Sequence, residues 1–516
     1  MTTCATKDNL AQNINVCNLI LTVPDTDFRD FLKEADELVR FAPEIIAAIE
    51  NDMDVCAKKR KSLRLADKRY YEKRMDDLPG IDIIEKAVLA DDLQLEVGRP
   101  RMQGYAVYMF LMIRGFLGSL SSKPARRFLW ESMSLYFFLQ DKGIKMPAVT
   151  TISENVNIVS HTTRELIFDR QIAYVLGESL DDFKQLTIDS TAVKANSSWP
   201  TDSKILIGLL SRASRLGQKL HLFEVENFAQ GWVPKWLGKM DKLDFQIQLV
   251  AGKTNSKSKL KKHYRKLLEQ GRKSTNALTV QFNKLDKSLS SRTHAPSRLM
   301  FLQKLVGQIR ADLYDAERVI EYANNRVFHK KHLKSNEKVL SLSDGSAAYI
   351  QKGGRDAVIG YKPQLVRSEN GFVTSLFVPQ GNAADCSELV PSISTSIQRT
   401  GVVPASVSTD DGYASAKGRN GVLELGVKII SISGSKGKKL TTQENWESDV
   451  YKDARSNRSA VESLMFTIKN GFEFGEVGRR GLNPVRDELL EKVLAYNCCR
   501  VILLRKRQRK KFEMAS

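Results

Sequence analysis

Phe183-Lys184-Gln185-Leu186-Thr187-Ile188-Asp189 is the stretch on which the fold turns, an apolar run that reads as a strand and ends in a carboxylate. A second run of the same kind, Pro404-Ala405-Ser406-Val407-Ser408-Thr409-Asp410, ends just before Asp411-Gly412-Tyr413. A third segment, R-S-A-V-E-S-L-M-F-T-I-K at 458–469, carries Arg458, Glu462 and Lys469 in the spacing R-x3-E-x6-K. Steps of four and seven residues return to nearly the same face of a helix. One helix would then present a carboxylate with a cation one turn before it and another two turns after it. That arrangement suits a metal-binding carboxylate beside a phosphate backbone.

Outward from these three points the pattern is clear. From 200 to 340 it is helical. Leu260, Tyr264, Leu267, Gly271, Thr275, Leu278, Phe282, Leu285 and Leu289 recur at steps of three and four, and a second stripe runs from Leu302 to Val327. Ser290 to Ser297, with Pro296, separates them, so the two stripes predict an antiparallel helical hairpin. Its first arm holds nine Lys/Arg between 253 and 273 against one acid, Glu269. Residues 345–435 then alternate in the β manner. Strands are predicted over Ala357–Val366 and Phe372–Val378, with Ser368-Glu369-Asn370-Gly371 as their turn. A helix is predicted over Asn382–Gln398, strands over Val403–Thr409 and Val427–Ile432, and a helix over 456–470. The fold class is α/β, a mixed sheet with a large helical insertion after its first strand, preceded by an all-helical N-terminal region.

The predicted divisions are a helical extension (1–96), a helical, helix-turn-helix-like DNA-binding unit (97–180), the first catalytic strand (181–199), the insertion (200–344), the remainder of the catalytic domain (345–500) and a basic tail (501–516). The 97–180 unit opens at Gly98-Arg99-Pro100 and contains an apolar helix (105–117), a second helix (125–139) carrying Arg126, Arg127 and Trp130, and a third starting near Val149. Packing of these helices on the catalytic core is the bland alternative to a DNA-reading role.

The 516 residues suffice for two to four domains. Hydrophobic content of 42% and charged content of 27% are ordinary. A net charge of +20 is not, and nucleic acid is its simplest partner. The six cysteines are scattered, without a C-x-x-C pair, and read as free thiols. The longest apolar stretch, Tyr105–Leu117, contains Arg114 and reads as a buried helix rather than a membrane span. No signal-peptide pattern opens the chain. The expected location is the cytoplasm, in association with the nucleoid and with no membrane partner.

In this order the segments resemble the DDE transposases of the IS4/IS5-like group of bacterial insertion sequences. The residues that carry the resemblance are D-S-T-A-V-K-A-N from Asp189 with P-T-D-S after it, G-Y-K-P-Q-L-V at 360–366, D-D-G-Y at 410–413, and Arg458/Glu462/Lys469. They span 180 to 500. One departure is visible: three residues before the arginine, where the family often has tyrosine, stands Arg455, and the nearest tyrosine is Tyr451. The resemblance implies a ribonuclease-H-like catalytic domain, double-stranded DNA as substrate (element ends and target), and a homodimer or higher oligomer on DNA.

It also implies a catalytic, metal-holding triad of Asp189, Asp410 and Glu462. Phosphodiester cleavage and joining need the attacking and leaving oxygens held and polarised, which two divalent ions about 4 Å apart can do. Carboxylate ligands suit Mg2+, with Mn2+ as a substitute. Arg458 and Lys469 would contact phosphates or orient Glu462, and Lys257, Lys261, Lys262 and Arg265 on the hairpin would track the DNA backbone, with a solvated helix face as their bland alternative. Each residue also has a bland reading. A lone Asp at a strand end is commonly a turn or helix cap. Arg458–Glu462 could be a surface pair worth a few tenths of a kcal/mol. Asp410 and Asp411 face opposite ways, so only one can enter the site, and D-x-G-Y favours Asp410. Asp202 reads as structural, His329 and His332 as solvated, and Trp199 as a packing residue rather than a base-stacking one. The rival functions are a ribonuclease-H-like metal-dependent nuclease without joining activity and a catalytically inactive DNA-binding protein.

Overall fold

The computed structural model describes residues 23–76, 101–120, 122–197, 201–221, 232–290, 294–331, 337–352 and 356–515. Trp199, His332, Cys4, Cys17 and Gly98-Arg99-Pro100 lie outside them. The protein is a mostly helical α/β structure built around a mixed sheet.

Among the described residues seven helices come first: α1 (Val23–Phe41), α2 (Glu44–Asp76), α3 (Gly104–Phe116), α4 (Lys123–Glu131), α5 (Met133–Asp141), α6 (Val149–Val156) and α7 (His161–Gly177). The single helix expected over 125–139 is two. Ser132 breaks it, closing α4 and capping α5 through a hydroxyl that accepts from the Leu135 N–H at 3.1 Å. Strands β1 (Gln185–Ser190) and β2 (Val193–Lys194) follow. Then come α8 (Asp202–His221), α9 (Trp232–Val250), α10 (Lys257–Ser290) and α11 (Pro296–His329). The two long periodic stripes are the arms α10 and α11, packed against each other and against α8. Their apolar faces form a core of their own, from Leu206 and Leu210 to Leu278, Ile309 and Ala316.

Beyond the hairpin lie β3 (Ala348–Ile350), β4 (Val358–Tyr361), β5 (Gln364–Ser368) and β6 (Val373–Phe377). The one strand expected over Ala357–Val366 is two, in different sheets. The break falls at Lys362-Pro363, where proline has no N–H for a ladder. The chain continues through α12 (Asp385–Thr400), β7 (Ser406–Thr409), a 3-10 turn (Asp411–Tyr413), α13 (Ala416–Glu424) and β8 (Ile429–Ile432). It ends with α14 (Ser435–Lys439), α15 (Gln443–Glu447), α16 (Asp449–Ser456), α17 (Ser459–Gly471) and α18 (Leu482–Ala515).

The main sheet has the order β6-β5-β1-β7-β8. Strands β6, β5 and β1 are antiparallel neighbours, whereas β7 and β8 run parallel to β1. A small antiparallel sheet, β2-β4-β3, adjoins it. One face of the main sheet packs Leu186, Ile188, Val366 and Val407 on Leu389 and Ile393 of α12 and Val422 of α13. Leu365, Phe372 and Val373 belong to a larger core shared with α17, α18 and the N-terminal helices.

Within residues 23–76, Phe28, Phe31, Leu32, Ile45 and Ile49 are buried in the large core. The basic run 505–511 lies within α18, where Arg505 bonds Glu34, Glu37 and Glu178, Lys506 pairs with Asp30, and 507–511 are exposed. At mid-length, α18 buries Glu491 among Arg114, Arg164 and Arg479. Gly115 allows α3 to approach at that level, since a Cβ there would lie 2.1 Å from the Glu491 carbonyl oxygen.

Candidate active site

The sheet register brings two of the predicted carboxylates together. Gln185, Leu186 and Thr187 of β1 pair with Ser406, Val407 and Ser408 of β7 in parallel register. The same offset sets Asp189 beside Asp410, the first residue past β7. The side chains of Thr187 and Ser408 touch across the strands at 2.9 Å. Asp189 and Asp410 lie two residues further on, on that same face. The corner between α16 and α17 lies over it, where Asn457 Nδ2 donates to Gln185 Oε1 at 2.5 Å.

The two aspartates are electrostatically linked. Burial pushes the Asp410 carboxyl above its usual range and the negative charge of Asp189 adds to this, against the Gly412 N–H, Lys352 and Arg458. The Gly412 N–H donates to Asp410 Oδ1 at 2.9 Å. Asp189 Oδ1 accepts from the Ser190 N–H at 2.6 Å and from Lys352 Nζ at 2.9 Å. The neighbouring Asp411 is used differently. Its Oδ1 accepts from the Lys436 and Gly437 N–H groups, both at 2.9 Å, at the start of α14. Gly434 sits at φ 107°, and a Cβ on it would come within 2.5 Å of Asp411, so this turn needs glycine.

Glu462 is not brought to this pair. The helix predicted over 456–470 is interrupted at Asn457-Arg458, so Arg458 flanks α17 and Glu462 lies in its first turn. The Glu462 side chain is 72% exposed, and its oxygen lies 3.9 Å from an Arg458 nitrogen. Among the described residues no group of three or more His, Cys, Asp or Glu side chains is assembled as a metal site. The charge of Arg458 is among those that oppose the raising of the Asp410 carboxyl. The Arg458 Nε is buried with no hydrogen-bond partner among the described residues. Lys469 is half-buried and makes interactions of its own. Lys257, Lys261, Lys262 and Arg265 are exposed along α10, the last with its guanidinium 5.7 Å from the Phe328 ring centre.

Several polar residues at the site carried no signal in the sequence. Lys352 is one. Asp385, at the start of α12, is another: Gln364 Nε2 donates to it at 3.0 Å and Lys362 Nζ at 2.9 Å. Burial would raise the Asp385 carboxyl, but these hydrogen bonds outweigh it and hold it low. Tyr413, buried in the D-D-G-Y segment, hydrogen-bonds Gln364 as well. The segment G-Y-K-P-Q-L-V already contains Lys362 and Gln364; a lone Asp at a helix start reads only as a dipole partner. Tyr451 is buried, its hydroxyl accepting from the Ile432 N–H at 3.2 Å, and Arg455 stacks 4.4 Å over the Trp446 ring. Asp202 pairs with Arg326 across α8 and α11.

Residues 330–498 match the family model of the transposase DDE domain. That segment is a transposase DDE domain, and it indicates a DDE-type transposase enzyme. The matched segment of the transposase holds Lys352, Asp385, Asp410, Arg458, Glu462 and Lys469, and it begins after Asp189 and the helices around it. No curated protein and no solved structure matches the chain. DDE transposases generally use divalent metal ions. Asp189 and Asp410 fit such an ion. They offer hard oxygen donors, one of them raised by burial beside the other's charge, and Asp189 already holds the Lys352 ammonium. Among the described residues no helix is long and apolar enough to cross a membrane.

Proposed function

We propose that this transposase, of the IS4/IS5-like group, cuts DNA at the ends of its mobile element and joins the freed 3′ hydroxyl to target DNA. The observation that carries the reading is the alignment of Asp189 with Asp410 at the ends of adjacent parallel strands, in a chain with a transposase DDE domain. The order β6-β5-β1-β7-β8, with three antiparallel strands followed by two parallel ones, supports a ribonuclease-H-like catalytic fold. The helices of 202–329 would then be an insertion between its first two strands.

In this reading Asp189 and Asp410 hold Mg2+, for which Mn2+ substitutes, and Glu462 is the third carboxylate. A divalent ion held there would supply Lewis-acid polarisation of the phosphate and hydroxyl oxygens. Glu462 must swing in from its exposed position on α17, which DNA binding would favour by drawing Arg458 to a phosphate. Arg458 Nε is suited to that contact. Lys469 and the exposed cations of α10 add sequence-independent affinity for double-stranded DNA. A homodimer or higher oligomer would pair the two element ends.

The test is strand cleavage of an element-end duplex with Mg2+. Asp189→Asn, Asp410→Asn and Glu462→Gln should each abolish cleavage while leaving DNA binding largely intact, since each amide keeps the shape and loses the charge. Near-normal cleavage by any two of the three would reject the triad. Cleavage without joined product would leave a nuclease.

A further inference from the structure

Lys352 lies just past β3 in the small sheet, yet its side chain crosses to the end of β1. There Nζ donates to Asp189 Oδ1 at 2.9 Å and also to the Ser190 carbonyl oxygen. The lysine side chain is 31% exposed and that of Asp189 14%. Its charge also reaches Asp410. An exposed lysine pair contributes little. This ammonium is instead fixed by two oxygens beside two adjacent carboxylates.

We propose that Lys352 is the counter-cation of the Asp189–Asp410 pair and competes with the divalent metal for it, so that metal binding and release of Lys352 are coupled. This rests on the reading of Asp189 and Asp410 as metal ligands. Two neighbouring carboxylates in a partly buried site need positive charge between them to stay ionised together. An ammonium supplies one charge and a divalent ion two. Both cannot stay, because they would repel each other at the same carboxylates. The four-carbon stem of lysine lets Nζ swing away, and a DNA phosphate is an anion that can receive it. The coupling is reciprocal: whatever draws Lys352 off Asp189 tightens metal binding.

The experiment uses the full chain without DNA, titrated with Mn2+ and read by the electron paramagnetic resonance of the free ion. Lys352→Ala and Lys352→Gln should bind Mn2+ about tenfold more tightly than the unaltered protein, because the competing charge is gone. Lys352→Arg should bind close to normally. Asp189→Asn should remove the binding in each background. In chelator, Lys352→Gln should melt below the unaltered protein, and Mn2+ should raise its melting temperature by more. Should Lys352→Ala fail to fold, the Gln variant carries the test. Equal or weaker Mn2+ affinity in Lys352→Ala and Lys352→Gln overturns the competition and leaves the metal site standing. Mn2+ binding that ignores Asp189→Asn, or none in any variant, would instead overturn the metal-ligand reading, and the competition with it.

Discussion

Asp410 and Asp411 are adjacent in sequence and opposite in surroundings. Asp410 stands half-buried beside Asp189, with its carboxyl raised first by burial and then by that neighbour. Asp411 spends an oxygen on two backbone N–H groups at the start of α14. The two should therefore fail differently when changed. Asp411→Ala removes a capping acceptor and should cost about 1 kcal/mol of stability while sparing cleavage. Asp410→Asn should lose cleavage but melt at or above the unaltered protein in chelator, because it takes a strained charge out of the site. Thermal melts and cleavage assays on the same preparations decide it. An inactive Asp411→Ala beside an active Asp410→Asn would reverse the assignment.

Helices α10 and α11 were legible because each repeats its apolar stripe over 34 residues, long enough for period alone to fix type and partner. The strands were legible only in part. Ala357–Val366 reads as one run, and its division between two sheets depends on which neighbours β4 and β5 meet. The strand-end aspartates could be found because a carboxylate closing an apolar run is a local signal. Lys352 and Asp385 could not, since only the folding of the small sheet and of α12 brings them to β1. Nor does helical spacing say which way Glu462 points. The basic face of α10 makes its own prediction. Lys257, Lys261, Lys262 and Arg265 are exposed, and the Arg265 guanidinium lies by the Phe328 ring. Changing all four to Ala should lower the log-log salt slope of DNA binding by about one for each phosphate no longer neutralised, up to about four. An unchanged slope would show that this face meets only solvent.

At the scale of the whole molecule, α18 ties the ends of the chain to the DDE domain. Burial alone would raise the Glu491 carboxyl, but Arg114, Arg479 and Arg164 outweigh it and hold it far below the carboxylate range. Glu491→Ala leaves three guanidiniums without their shared anion and should cost about 3–5 kcal/mol. Further along, the same helix uses Arg505 to hold Glu34, Glu37 and Glu178. The Glu34 carboxyl is pushed up to about 7, burial raising it and Arg505 opposing. A carboxyl raised in the fold contributes stability below its unfolded pKa and loses that contribution as pH rises through the folded value. Arg505→Ala removes the opposing charge, so Glu34 should rise further and its ionisation should cost more. The variant should therefore lose little at pH 6, where Glu34 is largely protonated in both proteins, and distinctly more at pH 9. Denaturant midpoints at the two pH values measure the difference. A loss that is equal at both would mean that Arg505 acts through Glu37, Glu178 and the Tyr174 ring rather than through Glu34.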